Sequence, residues 1–189
     1  MRYLLLLSLL LSACASAPRL SADLPGRDGV RDFALEARFA LKVERPGEQV
    51  QQASGRLSWN HQNDSDTVFI ANPLGTGLAE IDIRPQWSRL RLSKGDVREH
   101  ADPDVLIRQA TGYELPVSRL SLWLLGRGGE QAQLERDGQG RPARLRDAGW
   151  RVVYEYADES ATALPYRLQI QHAEELNLTL RIEEWRDLP

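Results

Sequence analysis

The sequence predicts a mainly β (α+β) protein: a strongly curved antiparallel sheet of about 10–11 strands forming an incomplete barrel, with an inserted helical lid. Three observations carry this. From Phe33 onward, segment after segment alternates apolar with polar residues, the period of a strand buried on one face. Short clusters of Gly, Pro, Asn and Asp separate these segments, which favours hairpins. Only between Asp102 and Gly126 does the apolar spacing change to a helical period. A sheet with so many strands must twist and curl.

The first 13 residues read as a leader that is removed. Arg2 precedes an apolar run, Tyr3 to Leu11, of about nine residues, against the roughly 20 that a spanning helix needs. The run closes on Leu11-Ser12-Ala13-Cys14, the leucine, small residues and cysteine that a bacterial lipoprotein signal peptidase reads. A lipidated mature N-terminus at Cys14 is therefore expected; a plain secretory signal with a stray cysteine is the weaker alternative. Cys14 is the single cysteine, so it has no disulfide partner. Ala15 follows where aspartate would signal inner-membrane retention, which favours the outer membrane, facing the periplasm. Residues 14–32, with Ser16, Pro18, Ser21, Pro25 and Gly26, read as a lipidated N-terminus and flexible tether. Residues 33–189 form one domain of a size that supports a real core.

Within that domain Phe33, Leu35, Ala37, Phe39, Leu41 and Val43 face one way and Glu36, Arg38 and Lys42 the other. Pro46-Gly47 turns the chain, and Ala53, Gly55, Leu57 and Trp59 return. Asn63-Asp64 turns again into Val68-Phe69-Ile70. After Asn72-Pro73-Leu74-Gly75 come Ala79, Ile81 and Ile83, then Trp87 to Leu92, then a short strand around Val97. Asp102-Pro103 is an N-cap with proline at the first helical position, so a helix is expected over 103–111, stopped by Gly112. Pro116 opens a second, 116–125, with Val117, Leu120, Trp123 and Leu124 on one stripe. Strands resume at Gln133 to Arg136, Ala143 to Arg146, Trp150 to Tyr156, Tyr166 to Ile170, and Leu176 to about Trp185.

Removing the leader takes one of the 24 basic residues, leaving 23 against 27 acidic, a net of −4. The charges are interspersed without a basic stripe, which argues against nucleic acid. His61, His100 and His172 show no metal-ligand spacing, and neither a nucleophile elbow, a phosphate-cradling glycine loop nor an HExxH helix is present. The close carboxylates Asp64/Asp66 and Asp102/Asp104 suit turn and cap duty. No enzyme activity, cofactor or metal is expected.

The apolar positions admit two readings, plain core or a greasy cavity under the helices. Candidates for cavity lining are Phe39, Trp59, Ile70, Ile81, Leu90, Trp123, Trp150, Val152 and Tyr154. Leu74, between Pro73 and Gly75, either projects beyond the sheet or folds back onto its edge, since turn tips favour polar residues.

The motifs, taken together and in order, resemble the LolB family of outer-membrane lipoprotein receptors. They are the Cys14 lipobox, the strand end at Trp59, Asn72-Pro73-Leu74-Gly75, Thr111-Gly112-x-x-Leu115-Pro116, Leu120-x-x-Trp123-Leu124-Leu125-Gly126, Gly149-Trp150-Arg151-Val152-Val153-Tyr154, and Trp185. Ala37-Arg38 departs from the family's usual Gly-Arg. The resemblance implies a cavity that takes the acyl chains of cargo lipoproteins from the soluble carrier LolA and releases them into outer-membrane lipids. It also implies that Leu74 belongs to a protruding loop, Pro73-Leu74-Gly75, that aids insertion. A monomer is expected. A lipid-anchored assembly partner with a filled core is the alternative, and an acyl-chain hydrolase a distant third.

Overall fold

In the computed structural model, residues 19–20, 29–173 and 175–186 are described. The leader and Cys14 lie outside them. The strands are β1 (Arg19–Leu20), β2 (Phe33–Val43), β3 (Gln51–Gln62), β4 (Ser65–Ala71), β5 (Gly77–Arg84), β6 (Trp87–Leu92) and β7 (Val97–His100). Helices α1 (Pro103–Thr111) and α2 (Val117–Leu124) follow, then β8 (Gln133–Arg136), β9 (Pro142–Asp147), β10 (Trp150–Glu155), β11 (Arg167–His172) and β12 (Leu176–Arg186).

Eleven strands pair antiparallel in the order β7-β6-β5-β4-β3-β2-β12-β11-β10-β9-β8, with β7 and β8 as its two ends. The curved sheet is thus unclosed, as the alternation predicted. Both long central strands come from the longest alternating runs: β2 lies between β3 and β12, joining the two halves. The turn Asn63-Asp64, with φ of 50° and 58°, is the two-residue link between β3 and β4.

Sequence reading missed β1. Arg19 and Leu20 pair in parallel with Glu184 and Trp185 inside the stretch read as a tether. Two residues are too few to carry a periodic signal. The packed body also begins before Phe33, because Val30 is buried and its carbonyl accepts from Arg127 Nη2 at 2.7 Å.

α1 has the predicted bounds. Asp102 Oδ1 accepts from the N–H of Asp104 at 2.9 Å and of Val105 at 3.4 Å, Pro103 occupies the first turn, and the Gly112 N–H donates to the Arg108 carbonyl. α2 is one residue shorter at each end than expected. Pro116 is its cap residue but offers no side-chain acceptor. Asp104 of α1 supplies one instead, accepting from Ser118 N at 2.9 Å and Ser118 Oγ at 2.8 Å. One carboxylate thereby fastens the two helices together.

Candidate functional site

An apolar cavity of about 210 Å³ lies between the sheet and the helices. Its wall is two cross-strand rows: Leu57, Ile70, Ala79 and Leu92 are mutual partners across β3, β4, β5 and β6, and Trp59, Val68, Ile81 and Leu90 form the next row. Inward residues at every second position of four paired strands must stack this way. Phe39 and Leu41 of β2 and Leu178 and Leu180 of β12 close one side. Ile107, Ala110 and Thr111 of α1, Leu115, and Val117 and Leu120 of α2 form the roof.

The next row, His61, Asp66, Ile83 and Ser88, is polar apart from Ile83, which also lines the cavity. Asp66, opposite His61 on β3 and Ile83 on β5, is buried; it accepts from Trp59 Nε1 at 2.7 Å and pairs with His61 Nδ1 at 2.8 Å. The His61 ring stacks on Phe33 at 5.1 Å between centroids. The hydrogen bond to Asp66 raises the His61 pKa; partial burial opposes it, and the charges of Asp66, Asp32 and Asp64 reinforce it. Sequence reading found no metal-ligand spacing at His61 and gave Asp66 turn or cap duty. Both instead lie in strands and cap the inner end of Trp59. A buried indole N–H needs an acceptor, which was the signal available.

Of the nine candidate lining residues, Phe39, Trp59, Ile70, Ile81 and Leu90 line the cavity. Trp123, Trp150, Val152 and Tyr154 do not: they are buried in the other half of the interior, where Trp150 also borders two separate clefts. Trp123 is fully buried, its Nε1 donating to Asp147 Oδ2 at 2.9 Å and its ring tilted against Trp150 at 5.8 Å. Trp150 stacks on His172 at 4.7 Å, and Tyr154 Oη donates to the Trp123 carbonyl at 2.9 Å. Burial pushes the Tyr154 phenol well above its ordinary pKa. Asp147 is the knot, also accepting from Arg119 Nη1 at 3.1 Å and Gly129 N at 3.2 Å. Burial pushes its carboxyl up, but Trp123, Gly129 and the Arg119 charge outweigh that and hold it below the usual carboxylate range. Alternation reveals which face a side chain takes; it does not reveal how full the space on that face is.

The link between the helices meets the β2–β3 loop. Arg45 Nη2 donates to the Gly112 carbonyl at 3.2 Å, the Arg45 guanidinium lies over the Tyr113 ring, and the Tyr113 hydroxyl bonds Gln51.

Leu74 projects. Asn72 Oδ1 accepts from Leu74 N at 2.9 Å and Thr76 N at 3.0 Å, while Gly75 N donates to the Asn72 carbonyl. With Pro73 setting one φ and Gly75 at φ 91°, the loop is tightly specified. Leu74 is 93% exposed at its tip, so it does not fold back. The loop joins Ala71 of β4 to Gly77 of β5, next to the cavity row that contains Ile70 and Ala79.

The profile of the family described as "Outer membrane lipoprotein LolB" matches residues 31–185. The Outer-membrane lipoprotein LolB of Dechloromonas aromatica (strain RCB) is 52% identical over 190 residues, covering 100% of this chain and 99% of that protein. The one from Alkalilimnicola ehrlichii is 36% identical over 203 residues, with 97% and 95% covered. Among solved structures, a putative outer membrane lipoprotein-sorting protein domain from Vibrio parahaemolyticus aligns with a TM-score of 0.51 at 11% identity. It covers 85% of this chain and 87% of that one, a likeness of fold.

Proposed function

Because this chain belongs to the LolB family, whose profile spans residues 31–185, we propose that its cavity receives the acyl chains of lipoproteins handed over by a LolA-type periplasmic carrier, for release into the outer membrane. The protein is an outer-membrane lipoprotein receptor and not an enzyme. The observation that carries the acyl-chain reading is the cavity lining, apolar throughout except for Thr111.

The energetics favour such a route. Each methylene kept from water is worth roughly 0.8 kcal/mol, so bare transfer of several chains would cost on the order of tens of kcal/mol. Transfer without a nucleotide then runs downhill in affinity from carrier to receptor to bilayer, with no covalent step. The present volume is below the roughly 300–1,000 Å³ of common ligand sites. Cargo entry therefore requires the α1 side of the roof to part from the sheet, breaking the Arg45–Gly112, Tyr113–Gln51 and Arg98–Gln109 contacts, while Asp147 holds α2 through Arg119 and Trp123. Cys14 is the proposed lipid anchor; three acyl chains there exceed the two signals that stable anchoring takes.

Leu74 is proposed to enter the bilayer at release. Burying one leucine gives about 1.5–3 kcal/mol, enough to orient the molecule and too little to anchor it. Two variants test the two halves of this reading. Ala110→Trp, which fills the roof of the cavity, should fold and lose binding of a fluorescent fatty acid. Leu74→Glu should keep that binding and accept cargo, yet fail to insert it into membranes. Unchanged fatty-acid binding in Ala110→Trp would remove the cavity from the mechanism. Normal insertion by Leu74→Glu would reduce the loop to a structural turn.

A further inference from the structure

The six exposed large apolar side chains among the described residues are Val50, Phe69, Leu74, Leu78, Val97 and Leu122. Four of them gather on the outer face of one end of the sheet. β4 presents Val68 and Ile70 to the cavity, so Phe69 between them faces outward. The register gives one outer row: Phe69 on β4 opposite Glu80 on β5, Glu80 opposite Arg91 on β6, and Arg91 opposite Val97 on β7. The exposures are 44% for Phe69 and 52% for Val97, large for apolar strand residues.

Leu78 lies between this row and the Leu74 loop. The pairing of β4 with β5 jumps from Ile70–Ala79 to Ala71–Gly77, so Leu78 is the extra residue of a bulge, 42% exposed. Bulges re-aim side chains and are built in where pairing alone would point them wrongly. Gly77 completes the surface. A Cβ there would stand 2.8 Å from the Phe69 ring, so its absence lets that ring lie along the hairpin toward the loop. The row's charges are Glu80 and Arg91, paired at 2.9 Å, and exposed Lys94 occupies the neighbouring β6–β7 turn at the same end.

We infer that Leu74, Leu78, Phe69 and Val97 form a single membrane-contact face, which lays the outer side of β4–β7 against the bilayer interface. This rests on the reading of Leu74 as a membrane-entering loop and extends it from one residue to a surface. Phe69, Leu74, Leu78 and Val97 are large apolar side chains left open at one end of the sheet, continuous with the Leu74 loop. They suit shallow insertion, with the charged row as a depth stop: Arg91 and Lys94 remain at the level of anionic headgroups while the apolar groups enter. On β4 the face backs directly onto the cavity wall, since Phe69 lies between the lining residues Val68 and Ile70. Cargo leaving past Ala79 and Leu92 then emerges where the receptor already touches lipid.

The test uses the full chain with Cys14→Ala, exported by another signal, so that no anchor holds it to lipid. Co-flotation with vesicles of phosphatidylethanolamine and phosphatidylglycerol is measured, with fatty-acid binding as the check on folding. The Phe69→Ser, Leu78→Ser double variant should float roughly tenfold less than its parent, and Leu122→Ser, an exposed leucine of α2, should float as the parent does. If the double variant floats like the parent while Leu74→Glu does not, the contact is the loop alone and the face is overturned, with the loop reading intact. If the parent does not float, the face is likewise overturned, and fatty-acid binding judges the cavity separately. If flotation is unchanged and carrier binding is lost instead, the face is a protein-docking surface and not a lipid one.

Discussion

His61 and Asp66 show how a single pair sets the end of the cavity. Because the folded pKa of His61 is raised, protonation stabilises the fold. That contribution is fully present below the unfolded value, 6.5, and disappears as pH rises through the folded value. The stability difference between the parent and His61→Asn should accordingly be largest near pH ~6 and shrink toward pH ~8. Urea unfolding across that range measures it, and a difference that grows with pH would reverse the assignment. Asp147 is the other decisive residue. Trp123→Phe keeps most of the packing but removes one donor from a buried carboxylate, so a loss of about 1–3 kcal/mol is expected by the same measurement.

At the scale of elements, the helices depend on carboxylates more than on their own short length. Eight or nine residues are too few for an autonomous helix in water. Asp102 caps α1 and Asp104 caps α2, so Asp102→Ala should cost about 1 kcal/mol. Asp104→Ala should loosen α2 relative to α1, read as faster amide exchange at Ser118 and Arg119. The inner strands need no such local help, because each is paired on both sides; β7 and β8, at the two ends, are paired on one. The register shifts between Ile70–Ala79 and Ala71–Gly77, between Ile182 and Glu184, and between Glu135 and Arg136 interrupt the pairing locally, and the first leaves Leu78 unpaired toward β4 with an exposed side chain.

The whole molecule divides into halves with different interiors. β2 to β6 and the helices enclose a void, whereas β9 to β11 close on Trp123 and Trp150. A void forfeits packing, and filling it without strain recovers some of that. Ala110→Trp should therefore match or exceed the parent in thermal midpoint while losing ligand, the reverse of a core-disrupting change. At the N-terminus, mass spectrometry should find an acylated Cys14 as the first residue of the mature chain. An unmodified terminus, or one elsewhere, would remove the anchor.

The chain's own pattern determined every strand but β1, their faces, the two helices and the turn at Asn72-Pro73-Leu74-Gly75. Those follow from local rules: period, caps and the φ preferences of proline and glycine. The lipobox reading at Leu11-Ser12-Ala13-Cys14 likewise rests on the sequence alone, and the mass spectrum of the mature terminus tests it. Tertiary structure alone decided which apolar side chains border empty space. Trp59 and Trp150 have the same alternation, yet Trp59 lines the cavity with its Nε1 on Asp66, while Trp150 is stacked on His172. Depth depends on what arrives from residues far away in the chain, and no local period encodes that. The exposure of Leu74, open in the sequence, was settled by Asn72, whose carboxamide holds the turn so that the leucine has no sheet edge within reach.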